Sequence, residues 1–476
     1  MLACRPAMAL LAALPLVAAE LPREVPKIYA QLCAGCHGPQ LQGGTGSSLV
    51  DGVWKYGDGS DAFLTKAIAD GMPLAGMPGF GQALDERQVR GLVIFMREQA
   101  VKAQQRGTPK PPPMTTGTIT TKEAAFNVEV LAEGLKIPWS LAFLPGEPGF
   151  LVTERSGALR PVRDGRVGAP IPGTPAVWSE GQGGLMGAVP HPDYARNGWL
   201  YLAFSDPAPA GSEGSMTAVV RGRIRSGQWS DEEVIFRAEP RHYRRDGVHF
   251  GSRMVFSEGF LFFSIGDRGG RDHAQDLGRP NGKIHRLHDD GRIPADNPFV
   301  GKAGALPSIW SWGHRNPQGL AVRTGRDGGA ELWSHEHGPR GGDELNRIER
   351  GANYGWPVVT HGLEYDGRPI TAVTSQAGLE DPVIVWTPSL AVCGLTAVTG
   401  DRFPGWSGDL LVGSLAGQEL RRISFPQDGP PVQEVLLRGQ GRIRTVHQGP
   451  DGLIYVGFEN PGRVVRLVPA APGSFP

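Results

Sequence analysis

Residues 29 to 38 read Tyr-Ala-Gln-Leu-Cys-Ala-Gly-Cys-His-Gly. Two thiols three positions apart fall on one helical turn, within reach of the two vinyl groups of a porphyrin. The imidazole that follows then projects at the iron. Cys33 and Cys36 are therefore the expected covalent anchors of a c-type haem, with His37 as its first axial ligand. A thioredoxin-type redox pair is the rival for this spacing, but it has no use for the adjacent histidine. A zinc site wants two more ligands nearby, and none is visible.

A second axial ligand should follow in the same domain. Residues 71 to 80 read Gly-Met-Pro-Leu-Ala-Gly-Met-Pro-Gly-Phe. Met77, in Met-Pro-Gly-Phe, matches the distal-ligand loop of small cytochromes c and is the expected sixth ligand. Met72 competes, its plainer role being a packing thioether. A His/Met pair raises the haem potential, which suits an electron acceptor.

Five later stretches also go beyond architecture. Glu-Gly-Gln-Gly-Gly-Leu-Met-Gly occupies 180 to 187, followed by His-Pro-Asp-Tyr at 191 to 194. His-Phe-Gly-Ser-Arg lies at 249 to 253 and Ile-Gly-Asp-Arg-Gly-Gly at 265 to 270. Trp-Gly-His-Arg-Asn-Pro-Gln-Gly-Leu-Ala runs from 312 to 321. Glu-His-Gly-Pro-Arg-Gly-Gly-Asp-Glu-Leu-Asn occupies 336 to 346 and runs on to Asn-Tyr-Gly-Trp-Pro at 353 to 357. In this order, over about residues 130 to 465, they resemble the glucose/sorbosone dehydrogenase family. Those proteins are six-bladed propeller quinoproteins that bind pyrroloquinoline quinone (PQQ) and calcium, and the nearest branch looks like the soluble aldose sugar dehydrogenases.

The resemblance implies a set of roles. A neutral base must take the proton of the sugar's anomeric hydroxyl as a hydride leaves, and a cation must face the oxygen that gains charge. His249 falls at the base position and Arg315 at the cation position; Asp267 falls where an aspartate orients the base. Gln182 and Asn316 match cofactor-contacting positions, and His337 replaces the glutamine of the glucose branch, where it is expected to touch cofactor or substrate. Backbone carbonyls of Gly338 and Pro339 match a calcium site beside the cofactor, and Glu344 with Tyr354 a second, structural one. One departure stands out. The glucose branch clamps the cofactor's carboxylates with a lysine and two arginines toward the C-terminus, and no such clamp is evident at 388 to 394 or 414 to 421. Taken singly, each motif also has a plainer reading: Gly-Gln-Gly and Gly-Asp-Arg-Gly are good turns, and His314 and Arg315 could brace a turn against Asp343.

The elements that must hold these residues divide the chain. Residues 1–19 read as an export signal peptide, with Arg5 before an apolar run and small Val17 and Ala19 before a cut at Glu20. Residues 20–100 read as a cytochrome c domain, with helices expected over Pro22–Cys33, Asp61–Asp70 and Asp85–Val101. Residues 101–122 read as a proline-rich linker carrying Pro-Pro-Pro at 111 to 113. Residues 123–470 carry short apolar strands separated by polar turns, as at 149–162, 199–205, 261–265, 331–334, 408–423 and 451–468, and read as propeller blades with insertions on one rim. The fold expected is a small all-α cytochrome c domain followed by an all-β six-bladed β-propeller.

Composition agrees with that division. Lys+Arg and Asp+Glu both number 48 in 476 residues, so no net charge draws the chain to nucleic acid. Glycine (69) and proline (42) serve turns, while 40% apolar residues supply a core. Cys4 leaves with the leader and Cys393 stands alone, so no disulfide framework supports the fold. The function expected is a periplasmic sugar dehydrogenase. It would turn an aldose into its lactone and pass electrons from PQQ to the fused haem, then to a periplasmic acceptor such as a cytochrome, a cupredoxin or an oxidase. A calcium-dependent lactonase and a non-catalytic binding propeller are the rivals. Sugar identity and oligomeric state are not encoded legibly.

Overall fold

The computed structural model describes residues 24–43, 46–72, 75, 77–105, 117–365, 367–460 and 462–470. The leader and the proline run at 111 to 113 lie outside the described residues.

Among the described residues, four α-helices build the N-terminal unit: α1 (Val25–Leu32), α2 (Ala34–His37), α3 (Asp61–Asp70) and α4 (Glu86–Gln105). Their ends follow from local chemistry. The Ser60 hydroxyl caps α3 by accepting the Phe63 amide at 3.1 Å. Asp85 and Gln88 form a reciprocal capping box at the start of α4, each side chain accepting the other's backbone N–H. The expected start at Asp85 is thus the cap, while the helix runs four residues past the expected end at Val101. Ile28, Tyr29, Leu64, Ile68, Val89, Leu92, Val93 and Met96 make one buried core.

From residue 119 onward the chain forms six antiparallel sheets. Blade 1 spans Pro138–Ala142 to Arg166–Val167, and blade 2 Leu185–Pro190 to Gln228–Phe236. Blade 3 spans Met254–Ser257 to Ile309–Trp312, blade 4 Pro317–Thr324 to Ile384–Trp386, and blade 5 Val392–Ala397 to Val432–Arg438. Blade 6 joins Arg442–Gln448, Ile454–Asn460 and Gly462–Pro469 to the N-terminal strand Ala125–Glu133. The first strands of successive blades contact one another all the way round, from blade 6 back to blade 1. This is the six-bladed β-propeller that the sequence implies.

Stacked blades bury both faces of their middle strands. Leu200–Pro207 is buried at every residue but the last, which masks the two-residue alternation of a half-exposed strand. Each large apolar side chain so enclosed contributes roughly 1.5–3 kcal/mol. The longest interruption of the blade plan lies inside blade 4, between Asp343–Arg347 and Ile384–Trp386.

Candidate functional site

The Cys-x-x-Cys-His segment folds as α1 running into α2, and its side chains open on a cavity of about 430 Å³. Cys33, Cys36 and His37 stand on one wall, with Tyr29, Leu64, Phe80, Leu92 and Met96 among the apolar lining. His37 Nδ1 meets the Ser47 carbonyl at 2.8 Å, which orients the ring and leaves Nε2 as the ligating nitrogen. Met72 and Met77 both line the cavity and pair through their backbones as an isolated bridge. Both methionines therefore line the pocket whose expected ligand is Met77. An apolar slot with two thiols, an imidazole and thioethers fits a covalently held haem.

The second cluster lies where blades 2, 3 and 4 converge. His249 precedes the first strand of blade 3 and has φ +53°, a conformation rare outside glycine. The turn after Ile265 presses against it: a side chain on Gly266 would stand 2.3 Å from the His249 carbonyl oxygen. Asp267 on that turn accepts from His249 Nδ1 at 2.7 Å and from the Gly269 amide at 2.9 Å. Gln182, from the loop before blade 2, accepts the His249 backbone N–H at 2.8 Å. The Asp267 amide donates to the Arg315 carbonyl at 2.8 Å. His249, Asp267, Gln182 and Arg315 thus come together from four separate motifs.

The electrostatics suit a base. Burial lowers the His249 pKa below 6.5, and the Arg315 charge lowers it further, against the opposing pull of Asp267. Burial raises the Asp267 carboxyl, but the His249 hydrogen bond and charge outweigh it, and the net shift is downward. A carboxylate can only accept, so Nδ1 carries the ring proton and Nε2 keeps a lone pair.

Arg315 donates to the carbonyls of His337 (3.0 Å) and Gly338 (2.9 Å) and to the Tyr365 hydroxyl (3.3 Å). Its backbone N–H is held by Glu336, which also accepts from His314 at 2.9 Å. His314 is thus braced by Glu336, not by Asp343. Asn316 is almost fully buried, and its Oδ1 accepts from the Gly251 amide and the Gln318 side chain, so it braces the loops around His249. His337 meets the Val392 carbonyl at 2.8 Å, and burial holds its pKa well below 6.5.

The two calcium positions differ. The Gly338 carbonyl is engaged by Arg315, so an ion there would compete with that guanidinium. Pro339 lies on the same turn, packed against Gly362. Glu344 shares a small cavity with Glu336, Thr360, Trp356 and Tyr354. Burial, then the Glu336 charge, raises its pKa well above the usual carboxyl range. Glu336 is held by His314 and the Arg315 amide, and the second carboxylate beside it, Glu344, is the group whose chemistry would suit a hard divalent ion. The Tyr354 hydroxyl is committed to the Arg347 carbonyl and the Glu349 amide, so it is not the group that would meet that ion.

Several functional groups escaped the sequence reading. Trp356 donates to Asp267 Oδ2 at 2.8 Å and lies 5.4 Å from the Arg315 guanidinium. Its signal was the Asn-Tyr-Gly-Trp-Pro stretch, in which no residue but Tyr354 was given a role. Two further C-terminal arginines lie outside 388 to 394 and 414 to 421: Arg442 and Arg444 stand on the inner strand of blade 6 and share Glu459. Arg444 and Arg253 both approach the buried Cys393 thiol, at 3.5 and 3.2 Å, and Arg444 also bears on His337. Arg442 and Arg444 are paired with Glu459, so it is Arg315 that would present charge to a polyanionic quinone such as PQQ.

Comparison with known proteins matches this arrangement. Residues 135–466 match the model of the family described as Glucose / Sorbosone dehydrogenase, and residues 20–96 that of Cytochrome C oxidase, cbb3-type, subunit III. The aldose sugar dehydrogenase YliI of Escherichia coli (strain K12) is 42% identical over 354 residues, covering 73% of this chain and 94% of that protein. The crystal structure of the soluble aldose sugar dehydrogenase from Escherichia coli, in the apo form, superposes with TM-score 0.67 at 40% identity, over 72% of this chain and 100% of that one. The PQQ-bound aldose sugar dehydrogenase from Streptomyces coelicolor superposes with TM-score 0.57 at 28% identity, over 73% and 99%.

Proposed function

The chain belongs to the glucose/sorbosone dehydrogenase family, and from that premise we propose that it is an exported quinoprotein dehydrogenase that oxidises an aldose-type sugar to its lactone and passes the electrons to its own c-type haem. The observation that carries this reading is the buried His249–Asp267 pair standing beside Arg315. When bound, PQQ supplies a two-electron acceptor and the haem a one-electron acceptor. His249 Nε2 takes the proton of the anomeric hydroxyl, and Asp267 fixes the tautomer and steadies the imidazolium that results. Arg315 presents a fixed positive charge on the acceptor side of the site. Gln182 holds the backbone of the base, and Trp356 holds the carboxylate behind it. Calcium is proposed at Glu344. Among the described residues no helix is long and apolar enough to cross a membrane. A periplasmic protein that meets a one-electron carrier there agrees with the covalent haem and the leader-like N-terminus.

The test is reconstitution with PQQ and calcium, followed by addition of a panel of aldoses under anaerobic conditions. The haem should become reduced on sugar addition. Uptake of PQQ without sugar-driven reduction of either the haem or an added dye would reject the reading.

A further inference from the structure

We propose that the propeller stretches Pro339–Gly342 and Leu363–Tyr365, with the Thr371 carbonyl beside them, form a docking element that locks the cytochrome onto the propeller, and that electrons cross between the two units at this contact. The inference rests on the proposed function for its electron-transfer half.

Two side chains of one loop, two positions apart, serve the two units. Leu363 is 1% exposed and belongs to the cytochrome core, among Val25, Ile28 and Leu92. Tyr365 is 71% exposed, yet its hydroxyl bonds the Arg315 guanidinium. Between them Glu364 pairs with Arg271 at 2.7 Å. The loop is stitched to the turn after Gly338: Arg340 and Leu363 exchange both backbone hydrogen bonds, at 3.0 and 2.9 Å. Arg340 then reaches across to α4 and binds Glu98 with two hydrogen bonds, at 2.7 and 2.5 Å. Both partners of that pair are largely buried, so the pair is orientation-specific and lightly screened by salt. Arg90, just over two helical turns before Glu98, donates to the Thr371 carbonyl at 2.7 Å.

α4 is the shared wall. Gly91, Ile94 and Glu98 meet the propeller loops, while Leu92 and Met96 line the haem cavity. A side chain at Gly91 would stand 2.6 Å from Val25, so its absence lets α1, α4 and Leu363 close together. One helix therefore separates the haem slot from the turn whose carbonyls hold Arg315. The balance of the step is simple. Oxidation of the sugar breaks its anomeric C–H and O–H bonds, forms C=O, and releases two protons and two electrons. Each electron reduces one ferric haem, which an external one-electron carrier reoxidises in between.

The test uses the full chain with haem attached. Glu98→Lys sets two cations against each other, and the swap Glu98→Arg with Arg340→Glu restores the pair. Hydrogen exchange, read without PQQ or sugar, should quicken on the order of tenfold over 90–98, 338–342 and 361–365 in Glu98→Lys and recover in the swap. Unchanged exchange would overturn the docking. An intact haem spectrum excludes simple unfolding, and Glu98→Gln gives the milder variant if it is lost. In the PQQ-loaded enzyme, sugar-driven haem reduction should slow at least tenfold in Glu98→Lys while turnover with a dye that drains the propeller directly is unchanged. Haem reduction at the parent's rate would overturn the route. If the parent reduces neither dye nor haem, the proposed function has failed, and the exchange measurement still decides the docking.

Discussion

His249 and Asp267 share a 2.7 Å hydrogen bond, the imidazole partly open to solvent and the carboxylate behind it almost fully buried, with its other oxygen tied to Trp356. The imidazole is thus fixed in position, in tautomer and, at neutral pH, in charge. A histidine held this way is a poor metal ligand on its Nδ1 side and a good base on the other.

Removing the base should stop the chemistry without touching the haem. His249→Asn is expected to lower kcat by about 10²–10⁴-fold, the usual worth of a positioned general base. The haem spectrum should match the parent's. Steady-state assays with dye and with haem as acceptor check both halves, and retention of most activity would remove His249 from its role.

The pH dependence should carry the signature of burial. Because His249 titrates below 6.5, it is neutral and competent above that value, and kcat/KM should fall as the pH drops through a midpoint lower than 6.5. Arg315 contributes to the depression, so Arg315→Met should move that midpoint upward even as it slows the reaction. A pH–rate profile of both proteins checks the sign.

How much of this was legible in the chain depends on where each contact comes from. Cys33, Cys36 and His37 are neighbours in sequence, so spacing alone displays them. The start of α4 could be read because a capping box is local, whereas its end could not, since no glycine or proline stops it before Gln105. The site around His249 was readable through resemblance, as its members lie on four motifs. Trp356, Glu336 and Arg444 were not assigned, because their roles arise only when blades 3, 4, 5 and 6 meet at the axis. The bond that holds the Gly338 carbonyl to Arg315 was equally invisible, as it depends on a turn closing over a guanidinium.

Calcium should act through Glu344. Its pKa is raised in the folded chain, so above the ordinary carboxyl range the unfolded chain has lost a proton that the folded one keeps. Without metal, stability from this group therefore declines as pH rises. Calcium bound there would relieve the negative charge and raise Tm at neutral pH, a stabilisation of about 2.7 kcal/mol at a hundred times its Kd. Glu344→Gln should abolish that calcium-dependent gain and remove the penalty in metal-free protein. Calorimetry with calcium and with chelator checks both.

The two methionines at the haem cavity can be separated directly. Met77→Leu should convert a low-spin haem to a high-spin one and lower its potential, while Met72→Leu should leave both unchanged. The reverse pattern would transfer the axial role to Met72.

The strand Ala125–Glu133 pairs on one side with the short Ile119–Thr120 and on the other with Gly462–Pro469, far along the chain. Ring closure accordingly waits until Gly462–Pro469 has been made, and the helical unit has all its own core residues long before the ring can shut, Leu363 excepted. Maturation then has a built-in order: porphyrin can be fastened to an early-folding module, whereas a pocket assembled from several blades awaits the closing strand. Cells starved of the quinone should still accumulate a red, sugar-blind protein.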